Sequence, residues 1–240
     1  MHALAAAIRL TAQLNLLRTT ATSVEVTARA VTGDDPAHHV VDPAGILGLD
    51  ALNAVELDTA LAATRLFAPG PWLLAVPRAG APGLLRGPAA LNSAAIEAGA
   101  AVVAEQGRCA FVPQSVGNAV QWRIHDAAPP APAPGPYEAE RALSEAVLAA
   151  ARVLDEIGGA GGERPASPAG LLPAAYPARS RRAADRAAGL LVAAEAGLDG
   201  ASAAWSSHAV EVRSRELRAL RDAAAEALCA AVAWPGDRTG

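Results

Sequence analysis

Leu4, Ala7, Leu10, Leu14 and Leu17 recur at steps of three and four, which puts them on one face of an opening helix. Ser23 then stands where a helix cap belongs. Val24-Glu25-Val26-Thr27 alternates as a strand would, but the cap favours a short helix through Val31, ended by Gly33-Asp34-Asp35-Pro36. His39-Val40-Val41 reads as a short buried strand closed by Asp42-Pro43, and a helix is expected from Leu49 to Leu66 with Ala54, Leu57 and Leu61 inward. Pro69-Gly70-Pro71 breaks it. The apolar run Trp72-Leu73-Leu74-Ala75-Val76 predicts a strand covered on both faces. A Gly/Pro loop from Pro77 to Pro88 leads into a helix expected to reach Glu105, with Leu91, Ala95, Ala98 and Val102 on one face. Cys109–Val112 and Val120–Ile124 predict two strands turned at Gly117-Asn118.

Five prolines in the ten residues 127–136 remove backbone donors and fix φ, so neither a helix nor a central strand runs through them. Beyond them the pattern is helical throughout. Leu143, Val147, Ala150, Leu154 and Ile157 form one stripe, stopped by the glycines of 158–162, which read as a linker. Helices from Ala178 to Leu198 and from Ser202 to Trp234 follow, broken at Asp199-Gly200.

The fold class is therefore α/β or α+β: a small mixed sheet with crossover helices, then an antiparallel helical bundle. Alternation of strand and helix suggests parallel crossovers, with an antiparallel hairpin at one edge. The expected domains are 1–126 (α/β), a 127–136 linker, 137–235 (helical) and a 236–240 tail.

Composition sharpens this. The chain is 52% apolar but only 3% aromatic, so larger Leu, Val and Ile side chains must anchor a core otherwise filled by alanine. All of its basic residues are arginine. Without lysine there is no pyridoxal Schiff base, no phosphate-loop lysine and no Ser-x-x-Lys site, and no cofactor is implied. A net charge of −4 argues against a dedicated nucleic-acid binder. Cys109 and Cys229 lie in different halves and read as buried thiols of a reducing compartment. No run approaches a membrane span, and a cytoplasmic protein is expected.

Candidate chemistry is sparse. Asp34-Asp35-Pro36-Ala37-His38-His39-Val40-Val41-Asp42 is the densest polar cluster, but adjacent histidines diverge on an extended chain, so an ordered turn is preferred to a metal site. His125-Asp126 diverge in the same way. Ser115 lacks the leading glycine of a nucleophile elbow. Arginines at 179, 182 and 186 and at 213, 215, 218 and 221 read as solvated helix faces paired to Asp185, Glu211, Glu216 and Asp222. The loop 77–88 leaves a buried strand and enters a helix, where ligands of α/β sheets commonly bind. Arg78, Arg86 and Asn92 are the candidate residues for a small anion there, against the alternative of a structural crossover loop.

The stretch Leu74-Ala75-Val76-Pro77-Arg78 through Gly87-Pro88-Ala89-Ala90-Leu91-Asn92-Ser93-Ala94-Ala95-Ile96-Glu97-Ala98-Gly99, with Asp34–His39 before it and Trp122-Arg123-Ile124-His125 after it, resembles a group of conserved actinobacterial proteins of uncharacterised function. The resemblance covers most of 1–126 and the helical half only loosely. It carries no activity with it and assigns no functional residue.

The expected function is accordingly non-catalytic: an assembly or interaction protein, either homodimeric through its helical half or with those helices docked tightly on the sheet, and with a small anionic ligand or a partner held by the α/β half. The competing expectation is a small hydrolase or transferase using histidines brought together from distant segments. Contact of His38 or His39 with His125, Asp42 or Asp126 inside a pocket would favour it.

Overall fold

The apolar face of the opening stretch folds as α1 (His2–Thr19), and Leu4, Ala7, Leu10, Leu14 and Leu17 are all buried. A computed structural model describes residues 2–67, 70–157, 165–200 and 207–233. In α2 (Val24–Thr32) the Ser23 hydroxyl accepts the Val26 N–H and Gly33 closes the helix at φ +56°, so the cap decides against a strand.

The chain then forms β1 (His38–Val41), β2 (Val55–Glu56), α3 (Leu57–Phe67), β3 (Trp72–Ala75), α4 (Ala89–Ala98), β4 (Ala101–Ala104), β5 (Ala110–Val116) and β6 (Ala119–His125). These strands make one sheet in the order β2-β1-β6-β5-β4-β3. Only β1 and β6 are parallel; every other neighbouring pair is antiparallel.

Four expectations are corrected here. The helix expected from Leu49 begins only at Leu57. Upstream, the Asp42 carboxylate accepts the N–H groups of Ile46, Leu47 and Leu49, and Asp50 accepts those of Leu52 and Asn53. Side-chain oxygens thus take backbone donors that a helix would need. The helix expected to reach Glu105 stops at Gly99 in left-handed conformation, φ +73°, and Val102 and Val103 belong instead to β4, buried on both faces.

The parallel crossovers are replaced by an antiparallel β3/β4 pair, because the loop 77–88 and α4 together make a round trip: Ala101, where β4 begins, lies opposite Ala75, where β3 ends. The β5/β6 hairpin turns at Gly117-Asn118 as expected, but sits inside the sheet rather than at an edge.

Two layers cover the sheet. α1 packs across β3, β4 and β5, over the face carrying Trp72, Phe111 and Trp122, whose rings meet edge to face. On the other face Leu85, Leu91 and Ala95 pack with Ala75, Val103, Val112 and Ala127. β3 is an edge strand, and Asn15 of α1 serves its open side: the amide donates to Trp72 C=O at 2.9 Å and accepts Trp72 N–H at 2.9 Å. The proline connector begins as part of this packing. Ala127 C=O accepts the Arg108 N–H at 2.6 Å, and the Ala128 and Ala131 N–H groups donate to Gly87 and Leu84 C=O.

The chain divides into a unit of residues 1–132 and a unit of Ala133–Ala231. The second holds α5 (Pro136–Glu156), α6 (Ala178–Asp199) and α7 (Ser207–Val232). Pro136 opens α5, and Glu138 accepts the Gly135 N–H. Glu140 of α5 pairs with Arg179 of α6 at 2.7 Å, so these helices begin at the same end. A return segment joins them, its Gly170 and Leu171 N–H groups held by Asp185 and its Leu172 and Tyr176 buried. α7 runs antiparallel to α6: Arg179 and Ala183 line a small cavity with Ala227 and Ala231, while Gly197 lies against Leu217. Arg215 and Arg221 pair with Glu216 and Asp222 as expected, whereas Asp185 is spent on the return segment. The linker at 158–162, the start at Ser202, the end at Trp234 and the tail lie outside the described residues.

Candidate functional site

The turn between α2 and β1 presents Asp35, and His38 follows it by three residues. His38 Nε2 donates to Asp35 Oδ2 at 2.9 Å, and Trp122 Nε1–H donates to His38 Nδ1 at 3.2 Å. An indole N–H only donates, so Nδ1 is the acceptor and the ring proton sits on Nε2. Asp35 also accepts from His2 Nε2 at 3.0 Å and Arg9 Nη2 at 2.5 Å, while Arg9 Nε–H donates to Val31 C=O at 2.8 Å. One carboxylate therefore joins the start of α1, the α2–β1 turn and, through His38, strands β1 and β6. The His38 side chain is 0% exposed, and both of its nitrogens are spent inside the protein.

Burial pushes His38 below the ordinary histidine value, and the bond to Asp35 opposes this without cancelling it. Burial, then Arg123, pushes His125 the same way. In Asp35 burial acts upward, but the His38 and His2 hydrogen bonds and the Arg9 charge outweigh it and hold the carboxyl low.

A histidine kept neutral by the fold takes up a proton more readily once unfolded, so acid favours the unfolded chain from about pH 6.5 downward. The Asp35 contribution is present above its unfolded value, about 3.9, and is lost as pH falls through its lower folded value. The urea midpoint is therefore expected to decline already between about pH 6.5 and 5, before carboxylates titrate. His125→Gln should flatten part of that slope, and a level midpoint across the interval would contradict two histidines held neutral by the fold.

The other histidines do not join this cluster. His39 turns to the opposite side, where it is 42% exposed and 3.6 Å from Glu56. His125 lies three residues beyond Trp122 on β6, hence on the opposite sheet face, and its buried Nε2 has no partner among the described residues. Asp42 is occupied by its three backbone N–H groups. His38 thus meets Asp35 and Trp122 instead of His125, Asp42 or Asp126. Cys109 and Cys229 are both buried, and burial, aided by the charges of Asp42 and Asp126, pushes the Cys109 thiol up to about 12. Among the described residues no group of three or more His, Cys, Asp or Glu side chains is placed to hold a metal ion.

In the loop 77–88, Arg78 and Ala81 exchange backbone hydrogen bonds in a tight turn, and Arg78 Nη1 donates to Val76 C=O at 3.2 Å. Arg86 Nη1 donates to Gly83 and Leu85 C=O, at 3.1 and 3.0 Å. Asn92 lies in the first turn of α4, its buried Oδ1 without a partner among the described residues. The two arginines thus brace the loop's own carbonyls, and the proline connector braces the same loop from outside.

A cleft that sequence reasoning missed lies in the same unit. Leu14, Leu17 and Trp72 line it, with Arg18 and Arg65 beside them. In sequence these arginines read only as basic residues in the last turns of two helices, their usual place against the helix dipole. No helix among the described residues is long and apolar enough to cross a membrane.

Residues 7–139 match the family model described as Rv1486c-like protein, N-terminal domain, and residues 137–229 match that described as Rv1486c-like protein, C-terminal domain. Comparison with curated proteins and with solved structures gave no match. The junction of the two family models falls where the proline connector gives way to α5, and on this evidence the chain belongs to the Rv1486c-like protein family.

Proposed function

We propose that the chain works by binding and assembly rather than by catalysis. The observation that supports this is the use of His38. A general base must reach the proton it removes, and the buried His38–Asp35 pair has Trp122 where a substrate or nucleophile would stand. A small anion at Arg78, Arg86 and Asn92 fits this reading on one condition: it must replace the loop carbonyls that the guanidiniums now hold.

The assembly part rests on α5. Tyr137 and Leu148, each 71% exposed, are three turns apart on its outer face, and a unit of alanine-lined helices buries little apolar area by itself. A second copy of the chain is the partner proposed. Light scattering should give a dimer that Leu148→Glu converts to monomer. In parallel, wild type should turn over chromogenic carboxyl esters, phosphate esters and amides no faster than His38→Gln. A monomeric wild type would remove the assembly reading, and turnover abolished in His38→Gln would replace binding by catalysis.

A further inference from the structure

We infer that the cleft between the ends of α1 and α3 and the start of β3 is a binding site for a small carboxylate with an aromatic or short aliphatic body. It has a volume of about 170 Å³. Its apolar part is Leu14, Leu17 and Trp72, each 2% exposed, while Arg18 and Arg65 are exposed beside it. A cavity of about 150 Å³ accepts a benzene ring, so a body of that size fills this one.

The two guanidiniums are available. Among the described residues neither forms an ion pair or a hydrogen bond. The Thr19 and Thr20 hydroxyls donate to Asn15 and Leu16 C=O near the end of α1, and Thr64 donates to Leu61 C=O within α3. A third arginine adds to the positive charge around α3, since Arg108 stacks over Phe67, its last residue, at 4.6 Å from the ring centre.

Gly70 also lines the cleft, and the Gln106 amide lies so close over it that a Cβ there would meet Nε2 at 2.0 Å. A polar donor group is thereby added beside the opening. An apolar floor with two exposed arginines on the same cleft suits an amphiphilic anion, and a planar carboxylate matches guanidinium donors in pairs. The site goes beyond the reading of the chain as a binding and assembly protein and does not depend on it.

Titration of the whole protein with benzoate and with hexanoate, followed by calorimetry and by NMR, tests the assignment. Both are expected to bind and to shift the Trp72 and Leu17 signals, with benzyl alcohol, hexanol and inorganic phosphate at least about tenfold weaker. Arg18→Gln and Arg65→Gln should each weaken benzoate about ten- to hundredfold, the factor one charge-assisted hydrogen bond carries. Arg18→Lys should retain part of the affinity. Both arginines are exposed, so circular dichroism should show every variant folded. Arg29→Gln, on the exposed side of α2, should bind as wild type. The assignment is overturned if the double Arg18/Arg65 variant binds benzoate unchanged, if only Arg78→Gln and Arg86→Gln lose binding, or if neither carboxylate binds below about 10 mM.

Discussion

Replacing Asn15 by alanine is expected to destabilise the chain by about 2–6 kcal/mol, because it orphans two buried backbone groups at once, each worth about 1–3 kcal/mol. Trp72 N–H and C=O face away from β4, and the Asn15 amide is the partner of both. A leucine of similar volume does not rescue the site, since the backbone groups it faces cannot themselves be made apolar. Asn15→Asp should fall between, because a carboxylate accepts the N–H but presents no donor to the C=O. Urea unfolding followed by circular dichroism measures the series. A loss below about 0.5 kcal/mol for Asn15→Ala would mean that water replaces the amide and that the clamp is dispensable.

Gly107→Ala is expected to cost a comparable amount, about 2–5 kcal/mol, for a different reason. Gly107 has φ +76°, and a Cβ there would lie 2.6 Å from Pro129 N and 2.8 Å from both Ala127 O and Ala128 C. Left-handed backbone costs a residue with a side chain about 1–2 kcal/mol, and the overpacking adds about 1–3 kcal/mol. The clashing atoms are all backbone, so no rotamer change relieves them. The proline connector therefore has to lift from the sheet, and Arg108 N–H loses Ala127 C=O as it does. Gly117→Ala is the control: its φ is +59°, but nothing lies within 4 Å, so only backbone strain remains. Unfolding of both variants, with limited proteolysis across 127–132, checks the argument. Equal losses in the two, with no new cleavage, would refute it.

These two residues show which part of the structure is legible in sequence. Periodic leucines placed α1, and the turn at Gly117-Asn118 placed the β5/β6 hairpin, because local pattern and tertiary burial agree there. Where they disagree the reading failed. Ala101–Ala104 is buried on both faces, has no alternation, and continues the helical stripe of α4 without a visible break except Gly99. Residues 49–53 have helical spacing, but Asp42 and Asp50 capture their N–H groups. The polar cluster around Asp35 and His38 was conspicuous in sequence, while its remaining partners, His2, Arg9 and Trp122, are distant in the chain, and of these only Trp122 was placed there, as a strand residue. Arg18 and Arg65 line one cleft with Trp72, and no single stretch of the sequence shows that these three segments come together.

The Asn15 clamp also decides what the sheet can do between molecules. An exposed strand edge is a template for another chain, in aggregation and in recognition by strand addition alike. On one side of this sheet the amide has already taken the Trp72 hydrogen-bonding positions of the four-residue β3, and on the other β2 offers only two residues. Among the described residues a partner that lays an extended peptide along this sheet meets one edge with the Trp72 positions already taken and another of two residues, which disfavours strand addition. An Asn15 variant is accordingly expected to lose solubility as well as stability, with fibrillar rather than amorphous precipitate.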